Sequence, residues 1–169
     1  MTRLLVLGGA RSGKSRLAQD RIEAHGGRLA YIATAQALDD EMAQRISRHR
    51  EDRGRRWHTI EAPLDLPRAI GEVARSADAV LVDCLTLWLS NLILAERSVA
   101  AATDQLLAAI LACGKPLAMV SNEVGYDIVP DNALARRFRD EAGRLNQKVA
   151  QVADEVVLTV AGLPLRLKP

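Results

Sequence analysis

Eight residues close to the start of the sequence have the types and the spacing of a phosphate-binding loop. They are Gly8, Gly9, Ala10, Arg11, Ser12, Gly13, Lys14 and Ser15, and they match the pattern G-x-x-x-x-G-K-[ST] in full. Glycines let the backbone N–H groups of such a loop approach phosphate oxygens closely. Lys14 is then expected to reach the β- and γ-phosphates of a nucleoside triphosphate, and the Ser15 hydroxyl is expected to bind Mg²⁺. The alternative is a glycine-rich turn without a ligand, which the apolar run before the loop and the amphipathic stretch after it disfavour.

Asp83 ends a second apolar run and is the best-placed acidic partner for this loop. Residues Ala79–Val82 before it are all apolar, as expected of a buried strand. A Mg²⁺ ion bound to a triphosphate needs a carboxylate at the end of a neighbouring strand, bound directly or through water. A carboxylate in this place could instead cap a following helix. We favour metal binding, because the nucleotide site would otherwise lack its acid.

The rest of the sequence alternates short aliphatic runs with longer amphipathic stretches, which is typical of a mostly parallel sheet covered by helices. The predicted strands are Arg3–Leu7, Leu29–Ala33, Ala79–Asp83, Leu117–Ser121 and Val156–Val160. The predicted helices are Ser15–Ala24, Leu66–Ser76, Val99–Cys113 and Asn132–Ala153, the last with an apolar face of Leu134, Phe138, Leu145, Val149 and Val152. No repeat or linker interrupts this pattern, so we predict one α/β domain over residues 1–169.

Residues 39–56 depart from the pattern, because eleven of these eighteen positions are charged. The side chains that would share one face of a helix here are Met42, Ile46, His49 and Arg53. A helix with so little apolar surface is usually a solvated surface element. The charge pattern by itself favours that interpretation.

Composition excludes several classes of protein and partner. Of the 169 residues, 49% are hydrophobic and 26% are charged, which argues against collagen-like, mucin-like and wholly disordered chains. Aromatic residues make up only 3%, which argues against a surface for stacking nucleic-acid bases. The net charge of +2 is too small to require a polyanionic partner. We therefore expect no binding to nucleic acid.

Three features predict a cytoplasmic protein without a membrane span. Cys84 and Cys113 lie in apolar surroundings and far apart, as buried thiols in a reducing compartment do. Only four apolar residues, 4–7, precede the first glycines, too few for the core of a signal peptide. The longest apolar tract, Val80–Ala95, contains polar residues and is shorter than a membrane-spanning helix.

Motifs along nearly the whole chain, from Leu5 to Pro164, form an ordered set that resembles one known enzyme family. Besides the phosphate loop, the set comprises Tyr31–Ala35, Asp40–Met42, Arg45, Ile46, His49, Arg53, Trp57–Pro63, Val82–Trp88, Ser121–Gly125, Gly143–Gln147 and Ala161–Pro164. No single later motif is specific, but their order is. The chain resembles the bifunctional adenosylcobinamide kinase and adenosylcobinamide-phosphate guanylyltransferase family of cobalamin biosynthesis. The resemblance implies a P-loop NTPase-like α/β fold with a mostly parallel central sheet flanked by helices.

Two activities are implied by this resemblance. The enzyme would phosphorylate the hydroxyl of the aminopropanol arm of adenosylcobinamide with ATP or GTP, in the presence of Mg²⁺. It would then transfer GMP from GTP to the new phosphate, releasing pyrophosphate and forming adenosylcobinamide-GDP. In the family a histidine of the charged helix carries GMP covalently, and the matching residue here is His49. A homotrimer is also implied.

The resemblance places nucleotide contacts at several further positions. They are Gly8–Ser15, Ala33, Thr34, Ala35, Arg50, Glu51, Asp52, Arg53, Glu61 and Asp83, with Ser15 and Asp83 as the Mg²⁺ ligands and Lys14 as a catalytic residue beside His49. For Glu61 only the resemblance favours binding, because a lone carboxylate ahead of a proline is otherwise a solvated turn residue.

The charge around His49 supports its role independently. An imidazole nitrogen attacks phosphorus only when it is neutral, and four nearby arginines oppose its protonation. They are Arg45, Arg48, Arg50 and Arg53. The same guanidinium groups could bind the triphosphate and stabilise charge in the transition state. The other two histidines have weaker signals, since His25 is expected at a helix end and His58 is expected to be exposed.

Asp127 departs from the family pattern, in which a glycine usually precedes Ile128, Val129 and Pro130. Aspartate tolerates a left-handed backbone better than most residues, so a turn could be retained here. The added carboxylate would bear on affinity for a corrinoid or a phosphate group.

Two other functions stay open on the residues alone. A P-loop kinase for another small hydroxylated metabolite would need no covalent role for His49. A GTP-dependent switch would need a guanine-specifying N-K-x-D element, which the sequence lacks.

Overall fold

The computed structural model describes residues 2–36, 54 and 56–169. The helix predicted over residues 39–56 therefore lies, apart from Gly54 and Arg56, outside the described residues. His49 and the four positions Arg50, Glu51, Asp52 and Arg53 lie outside them as well.

The described residues contain seven strands and five helices. The strands are β1 (Arg3–Gly8), β2 (Leu29–Ala33), β3 (Trp57–Glu61), β4 (Ala79–Asp83), β5 (Leu117–Asn122), β6 (Glu155–Val160) and β7 (Leu163–Lys168). The helices are α1 (Lys14–Glu23), α2 (Leu66–Val73), α3 (Leu85–Leu94), α4 (Val99–Ala112) and α5 (Ala133–Val152).

The seven strands of the described chain form one sheet in the order β3-β2-β4-β5-β1-β6-β7. All neighbouring pairs are parallel except β6 and β7, which form an antiparallel hairpin. Because parallel strands end at the same edge, the loops after β1, β2, β3, β4 and β5 meet at the carboxyl edge of the sheet. The predicted P-loop NTPase-like α/β fold with a mostly parallel sheet flanked by helices is confirmed.

Alternate residues of the strands divide the core into two layers. Leu4 and Val6 of β1 pack with residues of α1 on one face of the sheet. Leu5 and Leu7 belong to the layer on the other face, which includes buried residues of α2, α3, α4 and α5. Because both faces are covered, the central strands are apolar over most of their length, as in Ala79–Val82.

The five predicted strands and four predicted helices within the described residues are confirmed, with ends that differ by at most three residues. β3, β7 and α3 were not predicted. β3 lacks a continuous apolar run, and β7 contains Pro164, which a strand tolerates only at the edge of a sheet. Seven of the ten residues of α3 are buried, so the helix has no polar face and its sequence shows no amphipathic period.

The apolar face predicted for the last helix is correct only in part. Leu145 and Val149 of α5 are buried, and Phe138 and Val152 pack against the core, but Leu134 is 52% exposed. Asn146 in the second half of α5 already bonds to the end of β5. The first turns of the helix therefore lie beyond the sheet, where Leu134 lines a surface groove next to α3 instead of the core.

Polar residues occupy the N-cap positions of α2 and α4, and only one of these two forms a capping hydrogen bond. Ser98 Oγ caps α4 by accepting from the Ala101 N–H at 3.4 Å. Asp65 lies at the N-cap of α2, but its side chain makes no capping hydrogen bond. Both cysteines are buried, as expected. None of the helices in the described part of the chain is long and apolar enough to cross a membrane.

The Arg3–Asp154 ion pair connects the start of β1 to the residue just before β6. Asp154 accepts from the Arg3 N–H at 2.8 Å and from the guanidinium at 2.6 and 3.0 Å, and these bonds lower the pKa of Asp154 to about 2. The pKa of an aspartate in an unfolded chain is about 3.9. Its stabilising effect is therefore complete above that pH and is lost as the pH falls towards 2.

We expect Asp154→Asn to lower the free energy of unfolding at pH 7 by up to about 1 kcal/mol, since the carboxylate is partly exposed. The difference between variant and wild type should shrink by about half at pH 3. Urea unfolding at both pH values measures this. Asp104→Asn, which removes an exposed partner of Lys148, is the control and should have almost no effect. A difference that is the same at both pH values would contradict the ion-pair explanation.

Candidate nucleotide-binding site

Residues 8–15 form a loop between the end of β1 and the start of α1, as the phosphate-binding pattern predicts. Arg11 and Gly13 have φ angles of 54° and 92°, so the chain turns sharply before α1 begins. Gly9, Ala10 and Arg11 are exposed at the tip of the loop. The N-terminus of α1 adds partial positive charge here. The strand, loop and helix context of the motif is confirmed, while the contacts with a nucleotide stay a prediction.

Two of the three glycines in the loop are required by close packing. A Cβ atom on Gly8 would lie 2.7 Å from the carbonyl oxygen of Thr159 in β6. A Cβ atom on Gly13 would lie 3.2 Å from the Cα atom of Gly162, and Gly13 has the left-handed conformation that favours glycine. Gly9 has open space around it. The loop therefore depends on close approach to β6 and to the turn that follows it.

The β6–β7 hairpin supports this loop directly. Ala161 and Gly162 form its two-residue turn, with φ angles of 51° and 79°, as tight hairpins require. The Gly162 N–H donates to the Ser12 carbonyl at 2.9 Å. The Ser12 hydroxyl is buried next to Gly8 and has no hydrogen-bond partner among the described residues. This turn was not predicted to support the site, because Ala-Gly is not among the dipeptides that are typical of tight hairpin turns.

Three of the predicted contact residues share one row at the carboxyl edge. Glu61 of β3 pairs with Ala33 of β2, and Ala33 pairs with Asp83 of β4. Asp83 lies opposite Val120 of β5, and β5 separates β4 from β1. We expected Asp83 on a strand next to the one that precedes the phosphate loop. This expectation is wrong, because β5 lies between β4, which carries Asp83, and β1.

Asp83 ends β4 at the carboxyl edge of the sheet and is not the N-cap of α3. The N-cap residue is Cys84, whose Sγ accepts from the Leu87 N–H at 3.5 Å. Burial, together with the nearby Asp83 carboxylate, raises the pKa of the Cys84 thiol to about 11, while the Lys14 ammonium acts in the opposite direction. Lys14 and Asp83 therefore both act electrostatically on the same thiol. Because Cys84 occupies the N-cap position, the structure excludes the capping alternative for Asp83.

The Lys14 side chain lies across the phosphate loop. Its Nζ donates to the carbonyl of Gly9 at 2.9 Å. An exposed ammonium held by one carbonyl can exchange that bond for a phosphate oxygen, which is a stronger, charge-assisted acceptor. The amine is thus positioned for a triphosphate in this loop.

Thr34 holds the loops after β2 and β4 together. Its Oγ1 accepts from the Cys84 N–H at 2.8 Å and donates to the Cys84 carbonyl at 2.7 Å. Its N–H donates to the Asp83 carbonyl at 3.2 Å, and its carbonyl accepts from Asn91 Nδ2 at 2.8 Å. Asn91 also donates to the Pro63 carbonyl at 3.0 Å. Every polar group of Thr34 is thus bonded within the protein, and the nucleotide contact at this residue stays a prediction.

Glu123 is an acidic residue at the site whose role was not predicted from the sequence. It directly follows β5, and its N–H donates to the Gly8 carbonyl at 3.1 Å. Its Oε1 accepts from the Gly125 N–H at 2.9 Å. The only signal for it in the sequence was its place in the Ser121–Gly125 motif. The fold therefore puts a second carboxylate-bearing residue beside the first glycine of the phosphate loop.

The remaining candidates lie at the periphery or outside the described chain. His25 is exposed just after α1 and His58 is exposed on β3, both as expected. Asp127 has no positive φ angle, so the left-handed turn considered there is absent and the backbone does not demand a glycine. His49 lies outside the described residues, and its role stays a prediction.

Comparison with known proteins agrees with this geometry. Residues 4–167 match the family described as cobinamide kinase / cobinamide phosphate guanyltransferase. The chain is 46% identical over 166 residues to a bifunctional adenosylcobalamin biosynthesis protein of Pseudomonas aeruginosa, an alignment that covers 97% of this chain and 96% of the relative. Proteins described in the same way from Salmonella typhimurium and Escherichia coli are 42% and 41% identical over 180 residues, covering 98% of this chain and 99% of each relative. The match extends over nearly the whole chain and includes the phosphate loop. The chain therefore belongs to the cobinamide kinase / cobinamide phosphate guanyltransferase family.

Proposed function

We propose that the protein phosphorylates the aminopropanol hydroxyl of adenosylcobinamide with ATP or GTP, and then transfers GMP from GTP to the new phosphate. The products are adenosylcobinamide-GDP and pyrophosphate. The observation that carries this proposal is the phosphate loop at the carboxyl edge of the sheet, with the Lys14 side chain lying across it, in a chain that belongs to this family over nearly its whole length.

In the first reaction the loop positions the triphosphate. Backbone N–H groups of residues 9–15 and the Lys14 ammonium would bind the β- and γ-phosphates. The substrate hydroxyl oxygen attacks the γ-phosphorus, the bond from that phosphorus to the bridging oxygen breaks, and the nucleoside diphosphate leaves with the electron pair. The hydroxyl proton passes to a base or to water. Such transfer needs positioning and charge neutralisation more than covalent participation by the protein.

Oxygen donors suited to Mg²⁺ lie on both sides of the proposed site. The Ser15 hydroxyl is in the first turn of α1, and the Asp83 carboxylate ends β4. Mg²⁺ prefers oxygen ligands and often takes only one or two from the protein, with the rest from phosphates and water. When bound, the ion would neutralise charge on the β- and γ-phosphate oxygens.

In the second reaction His49 would act as a nucleophile. A neutral ring nitrogen attacks the α-phosphorus of GTP, the bond to the bridging oxygen breaks, and pyrophosphate leaves. A phosphate oxygen of adenosylcobinamide phosphate then attacks the same phosphorus, the N–P bond breaks, and the imidazole is restored. The arginines that flank His49 in the sequence would bind the phosphates during both steps.

We also assign the protein to the cytoplasm and to a homo-oligomer, a trimer by resemblance. The free, buried cysteines agree with a reducing compartment. The edge strand β7 supports assembly, because Leu163, Leu165 and Leu167 are 71%, 56% and 54% exposed. A row of exposed leucines on an edge strand invites contact with another chain.

The phosphate loop is tested by Lys14→Ala. We expect phosphorylation of adenosylcobinamide to fall by about 10²–10³-fold, because the charge between the β- and γ-phosphates is lost. The melting temperature should stay within a few degrees of wild type, since the Lys14 side chain is partly exposed. Lys148→Ala, a surface lysine paired with Asp104, is the matched control. Normal turnover by a folded Lys14→Ala protein would refute the site.

The role of Asp83 is tested by Asp83→Asn. The amide keeps most hydrogen bonds but loses the charge, so we expect the Mg²⁺ concentration for half-maximal phosphorylation to rise by about tenfold. Thermal stability without nucleotide should change little. A Mg²⁺ titration of wild type, Asp83→Asn and the control Asp104→Asn measures this, and an unchanged titration in Asp83→Asn would count against the metal-binding role.

His49→Ala separates the two reactions. GTP labelled in the α-phosphate should leave label on denatured wild-type protein, and His49→Ala should lose both this adduct and guanylyl transfer while it still phosphorylates adenosylcobinamide. The adduct should be labile in acid and stable in alkali, as a phosphoramidate is. His58→Ala, a histidine on β3, is the control. An acid-labile adduct that persists in His49→Ala would move the nucleophile to another residue, and a wild type that never labels would favour a plain kinase.

A further inference from the structure

The backbone of Asn122, the last residue of β5, is bonded by side chains from two helices. Its N–H donates to Thr86 Oγ1 at 2.6 Å, and its carbonyl accepts from Asn146 Nδ2 at 3.1 Å. Ser121 Oγ connects these two side chains, since it lies 3.2 Å from Thr86 Oγ1 and donates to Asn146 Oδ1 at 2.6 Å. The side chains of Thr86, Ser121 and Asn146 thus form, with the Asn122 backbone, a closed hydrogen-bond ring.

The direction of every bond in this ring is fixed by its backbone members. The Asn122 N–H can only donate, so Thr86 Oγ1 accepts from it, and the Thr86 proton is left for the bond to Ser121, whose own proton is used elsewhere. The single proton of Ser121 goes to Asn146 Oδ1. The Asn122 carbonyl can only accept, which fixes the Asn146 amide with Nδ2 towards it. Removing any one hydroxyl or amide therefore leaves buried donors or acceptors without partners.

The ring lies at the carboxyl edge of the sheet, beyond the end of β4 and beside the last residues of β5. β4 ends at Asp83, which lies opposite Val120, so β5 continues past its neighbour. On its other side β5 still pairs with β1, and Gly8 lies opposite Asn122. The backbone groups of Asn122 need partners because the ring is buried, with Thr86, Ser121 and Asn146 only 5%, 2% and 6% exposed. Helix side chains supply them in place of a β4 residue.

Two halves of the candidate site meet at this ring. On one side, Asn122 lies opposite Gly8, and the next residue donates its N–H to the Gly8 carbonyl at 3.1 Å. On the other side, Thr86 is in the first turn of α3, three residues after Asp83. The phosphate loop and the acidic residue lie on strands that do not touch, and the ring links the strand between them to the segment that follows Asp83.

We propose that Thr86, Ser121 and Asn146 are positioning residues that set the distance between Asp83 and the phosphate loop. This inference rests on the proposed nucleotide site. Breaking the ring lets the end of β5 shift relative to α3, so that Asp83 and the loop no longer bind one Mg²⁺–nucleotide complex together. The expected signature is a raised Mg²⁺ requirement, with little change in binding of the nucleotide without metal.

Thr86→Val and Ser121→Ala test this, because both remove a hydroxyl with little loss of volume. Binding of a fluorescent ATP analogue is titrated with Mg²⁺ and in EDTA, and phosphorylation of adenosylcobinamide is measured on the same proteins well below their melting temperatures. We expect each variant to need about tenfold more Mg²⁺ for half-maximal binding and to lose about tenfold in kcat. Affinity in EDTA should stay within twofold. The double variant should have about the same Mg²⁺ requirement and kcat as each single variant, because either substitution alone already breaks the ring.

Thr86→Ser restores the hydroxyl and should recover the wild-type Mg²⁺ dependence. Thr103→Val is the matched control, a buried threonine of α4 that is outside the ring. Wild-type Mg²⁺ dependence in both Thr86→Val and Ser121→Ala would overturn the inference, and so would a failure of Thr86→Ser to rescue. The binding measurements test the ring independently of the proposed function. The proposed function fails if the wild type binds Mg²⁺–ATP but never phosphorylates adenosylcobinamide.

Discussion

Buried backbone groups must find hydrogen-bond partners even where a strand ends before its neighbour, and this constraint organises the carboxyl edge of the sheet. β4 stops at Asp83 while β5 runs on, and Thr86 and Asn146 bond the Asn122 backbone in place of a strand. Beyond β2, Thr34 bonds the Cys84 backbone in both directions. The same polar side chains that satisfy these groups also hold the loops of the candidate site.

The phosphate loop depends on a second constraint, which is close backbone packing. Gly8 and Gly13 leave no room for a side chain against β6 and the turn that follows it, and the Gly162 N–H bonds to the loop carbonyl of Ser12. A loop held in this way keeps its N–H groups arranged before a ligand arrives. Less conformational entropy is then lost on binding, which is the advantage of preorganisation.

Helix α3 connects these parts because it contacts the ends of several strands. Thr86 bonds to β5, and Asn91 bonds to the carbonyls of Thr34 after β2 and Pro63 after β3. Trp88 between them is fully buried, and its Nε1 donates to the Leu64 carbonyl at 2.9 Å. Buried on nearly every side, the helix fixes the loops around Asp83 relative to the whole carboxyl edge, and small displacements at such a site are costly to phosphoryl transfer.

The sequence by itself determined the parts of this protein whose signal is local. The phosphate-loop motif at residues 8–15, five strands, four helices and Asp83 as the acidic candidate all follow from spacing, period or flanking residues. The family followed from motifs spread over nearly the whole chain. Only the tertiary structure decided that β5 separates Asp83 from β1, that the β6–β7 turn supports Ser12, and that Thr86, Ser121 and Asn146 form a ring. The physical reason is that hydrogen bonds between residues distant in sequence leave no local pattern, and a buried helix such as α3 has no polar face to reveal it.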